Sequence, residues 1–439
     1  MRRLIGLRDF VHDVIEKTTD LVEETHDAAA KKPIDVLSTL GLGAPAQAVD
    51  TPRALIAKLV FDSIRATNRT VQAVSDVGVA IAKQVLPEEN AISVASKPKR
   101  QLEAWIETAE SALNAVAGDF LAAQENGLSI QAQLRHQGHA LTLTREHLAT
   151  VLPEATPLIC VFVHGLGLSD SVWLQQEPPE GSSEVSFGNG VQRALGYTPI
   201  YFRYNTGLHI SQNGRALAGL LEELVSNYPV AVEEIALIGH SMGGLVSRSA
   251  AHYGETLEQQ WITKLRHVLC IGSPHFGAPL ERAGNVVTSV LAYFDTAGTQ
   301  VPAKVFNARS AGIKDLRFGS VRDEDWQGHD PDAFFQDNTQ HAAFVEGVSY
   351  GYIAARLQAA SGFVGELVGD LLVQLPSASG QHRDPTRVLP FHMGHVVDGV
   401  NHVALPTNPA VYEQVLRFLR DCGPSPAALE SRQLTGGSA

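Results

Sequence analysis

Apolar positions along this chain fall into two rhythms. From Leu4 through Leu7, Val11, Val14 and Thr18 to Leu21 they step by three and four, which puts them on one stripe of a helix. Pro33, Gly41 and Gly43 interrupt the stripe. A second stripe, Ile56 to Val85, follows Thr51-Pro52, a cap and first-turn pair. Pro87 ends it, and "PEENAISVASKPKR" reads as a linker. A third helix is predicted over 101–124. Two short alternating runs, "LSIQAQL" and "HALTLT", then read as a hairpin.

Beyond the hairpin the rhythm changes. "PLICVFVHG", "TPIYFRY", "EIALIGH", "HVLCIGSP" and "AAFVEGVS" are short and almost wholly apolar, and each is expected to form a strand. Helical patterns lie between them, as at Asn213–Tyr228 and Pro409–Asp421. Apolar strands alternating with helices predict a mostly parallel sheet covered on both faces, with ligands at the carboxyl ends of its strands. From about 279 to 337 the rhythm lapses; "VVTSVLAYF" and a polar segment with Trp326 read as a cap-like insertion. The Pro/Ser/Gly-rich tail, 423–439, reads as disordered. The expected organisation is therefore an N-terminal amphipathic helical region over 1–90, a linker and leading helix over 91–111, and an α/β body over 112–422.

Charge narrows the partners. The net charge of −13 is unevenly spread: residues 1–100 hold 14 Lys and Arg against 13 Asp and Glu, leaving 20 against 34 for the rest. An acidic body argues against nucleic acid. Residues 1–90, near neutral, are expected to pack or self-associate, with peripheral contact to a lipid surface as the second reading. Three cysteines, Cys160, Cys270 and Cys422, make no disulfide framework and point to a reducing, cytoplasmic setting. Arg8, Asp9 and Asp13 break the apolar run a signal peptide needs, and no stretch is apolar enough over about 18 residues to span a membrane.

The chemistry centres on "IALIGHSMGGLVSRSA", Ile235–Ala250. Ser241 stands among Gly239, Gly243 and Gly244, between a strand and a helix, which is the pattern of a nucleophile elbow. A serine hydroxyl needs a base, an acid to orient the base, and donors for the developing oxyanion. The donors are expected to be the backbone N–H groups of Met242 and of Leu166, in "VFVHGLG". His402, in "GVNHVALPTNP", is the favoured base over His395. Asp370, in "ELVGDLLVQLPSASG", is the favoured acid, with Asp398, Glu366 and Glu281 as alternatives. His209 and Asn213, in "YNTGLHISQNG", are read as helix-capping residues before substrate contacts. His392 and His395 lack the company a metal site wants, and neither metal nor cofactor is expected.

Together "VFVHGLG", "YFRYNTGLHISQNGRAL", "IGHSMGGLVSRSA", "IGSPHFGAPLE", "GIKDLRFGSVRDEDW", "GDLLVQLPSASG" and "VNHVAL" resemble the α/β-hydrolase superfamily. Within it, the chain is similar to bacterial triacylglycerol lipases and the GPI inositol-deacylase-like hydrolases. The resemblance spans roughly 112–419 and implies an α/β-hydrolase fold with a Ser241–Asp370–His402 triad and an oxyanion hole at Leu166 and Met242. It departs at Leu371, where such acid loops often carry glycine. The activity it implies is hydrolysis of carboxylic esters with apolar acyl chains, on a small-molecule or lipid substrate. Acyl transfer, thioester cleavage, or a non-catalytic scaffold with a helical recruiting arm are the alternatives.

Overall fold

The structure is a computed structural model, and it describes residues 97–174, 186–277, 310–328, 342–356 and 373–421. Residues 1–90, the tail, Asp370, Glu366, Glu281 and the "VVTSVLAYF" stretch lie outside the described residues. By internal contacts the chain divides into two units. One comprises Met1–Lys97, Leu121–Ser129 and Val301–Asn307. The other, Pro98–Phe120, Ile130–Gln300 and Ala308–Ala439, holds the sheet and the serine turn.

The chain enters through α1 (Lys97–Ala123) and the hairpin β1 (Gln133–His136) and β2 (His139–Ala140). Next come α2 (Arg145–Val151), β3 (Leu158–Val163), α3 (Phe187–Leu195), β4 (Thr198–Arg203) and α4 (Ile210–Asn227). β5 (Glu234–His240) runs directly into α5 (Met242–Thr256), followed by β6 (Leu265–Ile271), a short α6 (Ala311–Asp315) and β7 (Ser349–Arg356). The last elements are α7 (Leu375–Ala378), β8 (Met393–Asp398) and α8 (Pro409–Asp421). The eight strands form one sheet in the order β2-β1-β4-β3-β5-β6-β7-β8. The hairpin joins β4 antiparallel, and every pairing from β4 to β8 is parallel.

The apolar strands are explained by burial on both faces, since successive side chains point to opposite sides. Ile159, Val161 and Val163 of β3 join Leu217, Leu221, Leu245 and Val246 of α4 and α5 in one core. Cys160 and Phe162 join Val191, Val411, Val415 and Phe418 of α3 and α8 in the other.

One expectation is revised. The run Ala342–Val348 is not a strand. Ala342, Val345 and Val348 are buried as an irregular segment, Gly347 turns at φ 72°, and the strand begins only at Ser349. Residues 310–328, within the stretch read as cap-like, pack against the core and α1. Ile313, Leu316 and Val321 sit in the main core, Ser310 Oγ donates to the Ala115 carbonyl of α1 (2.6 Å), and the Ala311 N–H donates to Asp119 (2.9 Å).

Candidate active site

Ser241 closes the junction between β5 and α5. Its backbone sits at φ 55°, ψ −121°, a conformation that L side chains rarely adopt. Neighbouring bonds hold it there: the Ser241 N–H donates to the Ile271 carbonyl at the end of β6 (2.8 Å), and the Gly244 N–H donates to the Ser241 carbonyl (3.1 Å). The serine side chain makes no capping bond to its own helix. The turn is possible because α5 presses onto β3. A Cβ at Gly243 would lie 2.2 Å from the Val163 carbonyl oxygen, so only glycine fits.

The loop after β3 runs beside this turn. A Cβ at Gly165 would stand 3.0 Å from the Ser241 Cβ and 3.1 Å from His240 Nδ1. The next loop, after β4, holds its backbone. The Tyr204 hydroxyl donates to the His164 carbonyl (2.7 Å), and the Gly167 N–H donates to Thr206 Oγ1 (3.2 Å). Leu166, between these two anchors, is buried, and its N–H makes no hydrogen bond among the described residues. Met242 is the first helical residue, so its N–H has no partner one turn back. His164 lies fully buried against Tyr204, with rings 4.4 Å apart, and burial pushes its pKa down to about 3, so it is a neutral imidazole.

His402 begins a short 3₁₀ helix, His402–Thr407, capped by the Asn401 side chain, which accepts the Ala404 N–H (3.0 Å). The imidazole is buried and lies over the end of β6: a Cβ at Gly272 would be 3.2 Å from its Cε1 and 3.3 Å from its Nδ1. Gly272 follows Ile271, the acceptor of the Ser241 N–H. The fold therefore brings Ser241, Met242, the Leu166 loop and His402 to the carboxyl ends of β3, β5 and β6.

The described residues do not place the acid. Asp370 lies outside the described residues. Asp398 ends β8 at the surface, where Arg356 Nε and Nη2 reach its two carboxylate oxygens (2.8 and 3.2 Å) and hold its pKa below the usual range. His395 lies within β8. His209 stands at the N-cap position of α4, paired with buried Asp315 (3.1 Å) and stacked on Trp326, and Asn213 Nδ2 donates to the Asn205 carbonyl (2.9 Å). Both are engaged within the fold. Among the described residues no group of three His, Cys, Asp or Glu side chains is set to hold a metal, and no helix is long and apolar enough to cross a membrane.

Sequence reasoning missed the supports. Tyr204, Thr206 and His240 carry no local signal, because their partners stand far along the chain.

Residues 187–359 match the family model of the PGAP1-like alpha/beta domain. That match begins at α3 and carries β4 through β7 with the serine turn between them. The fold is that of the α/β-hydrolases. Among solved structures, the α/β-hydrolase body is similar to the lipase BlEst2 of Bacillus licheniformis in mature form (20% identity, 60% of this chain and 91% of that one, TM-score 0.37). It is also similar to the naproxen esterase (carboxylesterase NP) of Bacillus subtilis (15%, 60% and 84%, TM-score 0.33). A third is the RedJ thioesterase of the prodiginine biosynthetic pathway in Streptomyces coelicolor (15%, 61% and 91%, TM-score 0.35). No curated protein matches this hydrolase-fold chain significantly.

Proposed function

We propose that the chain is a serine hydrolase that cleaves carboxylic esters of apolar acyl chains, with Ser241 as nucleophile, His402 as base and Asp370 as acid. One observation carries the reading: Ser241 is held at φ 55° on a glycine-bounded turn, with the His402 imidazole over the adjoining strand end. An unfavourable backbone at a serine whose side chain does not cap its helix has a use when that hydroxyl must face a substrate.

The chemistry follows from the parts. Ser241 Oγ attacks the acyl carbonyl carbon as its proton passes to His402. The carbonyl oxygen becomes an oxyanion, met by the N–H groups of Leu166 and Met242. The C–O bond to the alcohol breaks, and His402 returns its proton to the leaving oxygen. Water, deprotonated by His402, then attacks the acyl-enzyme, and Ser241 is reprotonated as the carboxylic acid departs. Asp370 would fix the imidazole tautomer and stabilise its cation. The apolar stretch Val286–Phe294 in the sequence supports an apolar acyl group.

The test is hydrolysis of p-nitrophenyl esters from acetate to palmitate by wild type, Ser241→Ala and Asp370→Asn, with fluorophosphonate labelling. We expect turnover and labelling in wild type, neither in Ser241→Ala, and a kcat loss of about 10⁴-fold in Asp370→Asn. A wild type inactive on every ester and unlabelled at Ser241 would overturn the reading. Dependence of product on added alcohol would redirect it to acyl transfer.

A further inference from the structure

We propose that His240, the residue before the nucleophile, is a positioning residue that fixes the backbone of the base, His402, against the serine turn. The proposal rests on the hydrolase reading above.

His240 ends β5, so its backbone is part of the sheet, and its side chain is 1% exposed. Three contacts define its place. Its Nε2 lies 3.0 Å from the His402 carbonyl oxygen. A carbonyl can only accept, so Nε2 carries the proton and Nδ1 is bare. Its ring lies 4.9 Å from the His402 ring, and Trp173 meets it edge-on at 6.4 Å. Its Nδ1 faces Gly165 of the loop after β3, where a Cβ would come within 3.1 Å.

His240 is therefore joined to the nucleophile through the backbone, to the base by a ring hydrogen bond, and its ring lies beside the oxyanion loop. The bond matters because the base stands on a weak element. His402 opens a short 3₁₀ helix between β8 and α8, 162 positions along the chain from His240. A short connection of that kind fixes a side chain less well than a strand does. The His240 bond ties it to the strand that delivers Ser241. Burial keeps His240 neutral, so it adds no charge against the His402 cation that forms during the reaction.

The experiment compares His240→Gln, His240→Asn and His240→Phe in the full-length chain. Glutamine places an amide N–H where Nε2 stands; asparagine places one where Nδ1 stands and cannot reach the carbonyl. Steady-state kinetics on a p-nitrophenyl ester are paired with hydrogen exchange of the segment 399–407 and with melting curves. The expected result is a kcat fall of about 10- to 100-fold in Asn and Phe with KM within about twofold, and recovery to within a few-fold in Gln. Exchange over 399–407 should rise in Asn and Phe and not in Gln. If Phe melts too low to assay, Gln against Asn decides. The proposal is overturned if Asn matches wild type in kcat, if Gln is no better than Asn, if the loss falls on KM, or if exchange is unchanged. A wild type without esterase activity would sink the hydrolase reading instead, and the exchange comparison would still judge whether His240 holds the loop.

Discussion

At the scale of single residues, Ser241 stores strain and its glycine neighbours make the strain possible. A non-glycine residue at φ 55°, ψ −121° costs on the order of 1–3 kcal/mol, which the surrounding sheet must absorb. Ser241→Gly removes that cost while adding unfolded-state entropy, so we expect a net gain of about 1 kcal/mol by urea unfolding with an unchanged m-value. Ser241→Ala should abolish turnover without the gain. Equal stability in the two variants would show that no strain is stored at the turn. Gly243→Ala should act oppositely to Ser241→Gly, since its Cβ meets the Val163 carbonyl at 2.2 Å. Gly219 is exposed within α4 with nothing near its Cα hydrogen, so Gly219→Ala should stabilise by about 0.5–1 kcal/mol in the same assay. The three glycines around Ser241 were legible as a turn because spacing is local. That Gly243 spares the Val163 carbonyl was not, because Val163 arrives from a strand some eighty positions earlier.

At the scale of elements, the strands of the sheet could be read wherever an apolar run ended in a glycine-rich turn, and β3 to β6 lie where those runs predicted. β7 was misplaced because Ala342, Val345 and Val348 are buried as deeply as strand residues while making no ladder. Apolarity reports burial, not pairing. The docking of α1 was also hidden. Arg203, the last residue of β4, reaches Glu110 of α1 (2.9 Å). Arg135 of β1 reaches Glu107 of α1 (3.2 Å) and Asp170, just beyond the Leu166 loop (2.8 Å). The arginine side chains are 10% exposed or less. Their partners stand up to 93 positions away, and no periodicity joins residues so far apart. Buried charges therefore tie α1 to β1 and β4. Removing one member of a buried pair strands the other in a poor dielectric. We expect Glu110→Gln or Arg203→Met alone to cost about 3–5 kcal/mol, and the double variant to cost clearly less than their sum. Strict additivity in urea unfolding would show that the pair contributes nothing as a pair.

At the scale of the whole molecule, the way this site is built sets how stability responds to pH. Two imidazoles at its heart, His164 and His240, are buried and neutral; desolvation is the first cause in each, taking His164 to about 3 and His240 well below its ordinary value. In the unfolded chain both would titrate near pH 6.5. Below that pH the unfolded state takes up protons that the folded state refuses, so stability is lost as pH falls from about 6.5 toward 3. Between pH 7.5 and 5.5 each such histidine removes about 1.4 kcal/mol, so the pair removes about 3 kcal/mol. Asp315, whose pKa burial raises, works in the opposite direction. Urea unfolding at pH 7.5, 6.5 and 5.5 should show the decline, and His164→Gln should lose about half of the slope, because glutamine has no proton to take up. A flat profile in wild type, or an unchanged slope in His164→Gln, would mean that these imidazoles reach water in the folded state. The dry, neutral floor on which Ser241 and His402 stand would then have to be abandoned, and with it the reason a neutral His240 can sit beside the proposed base.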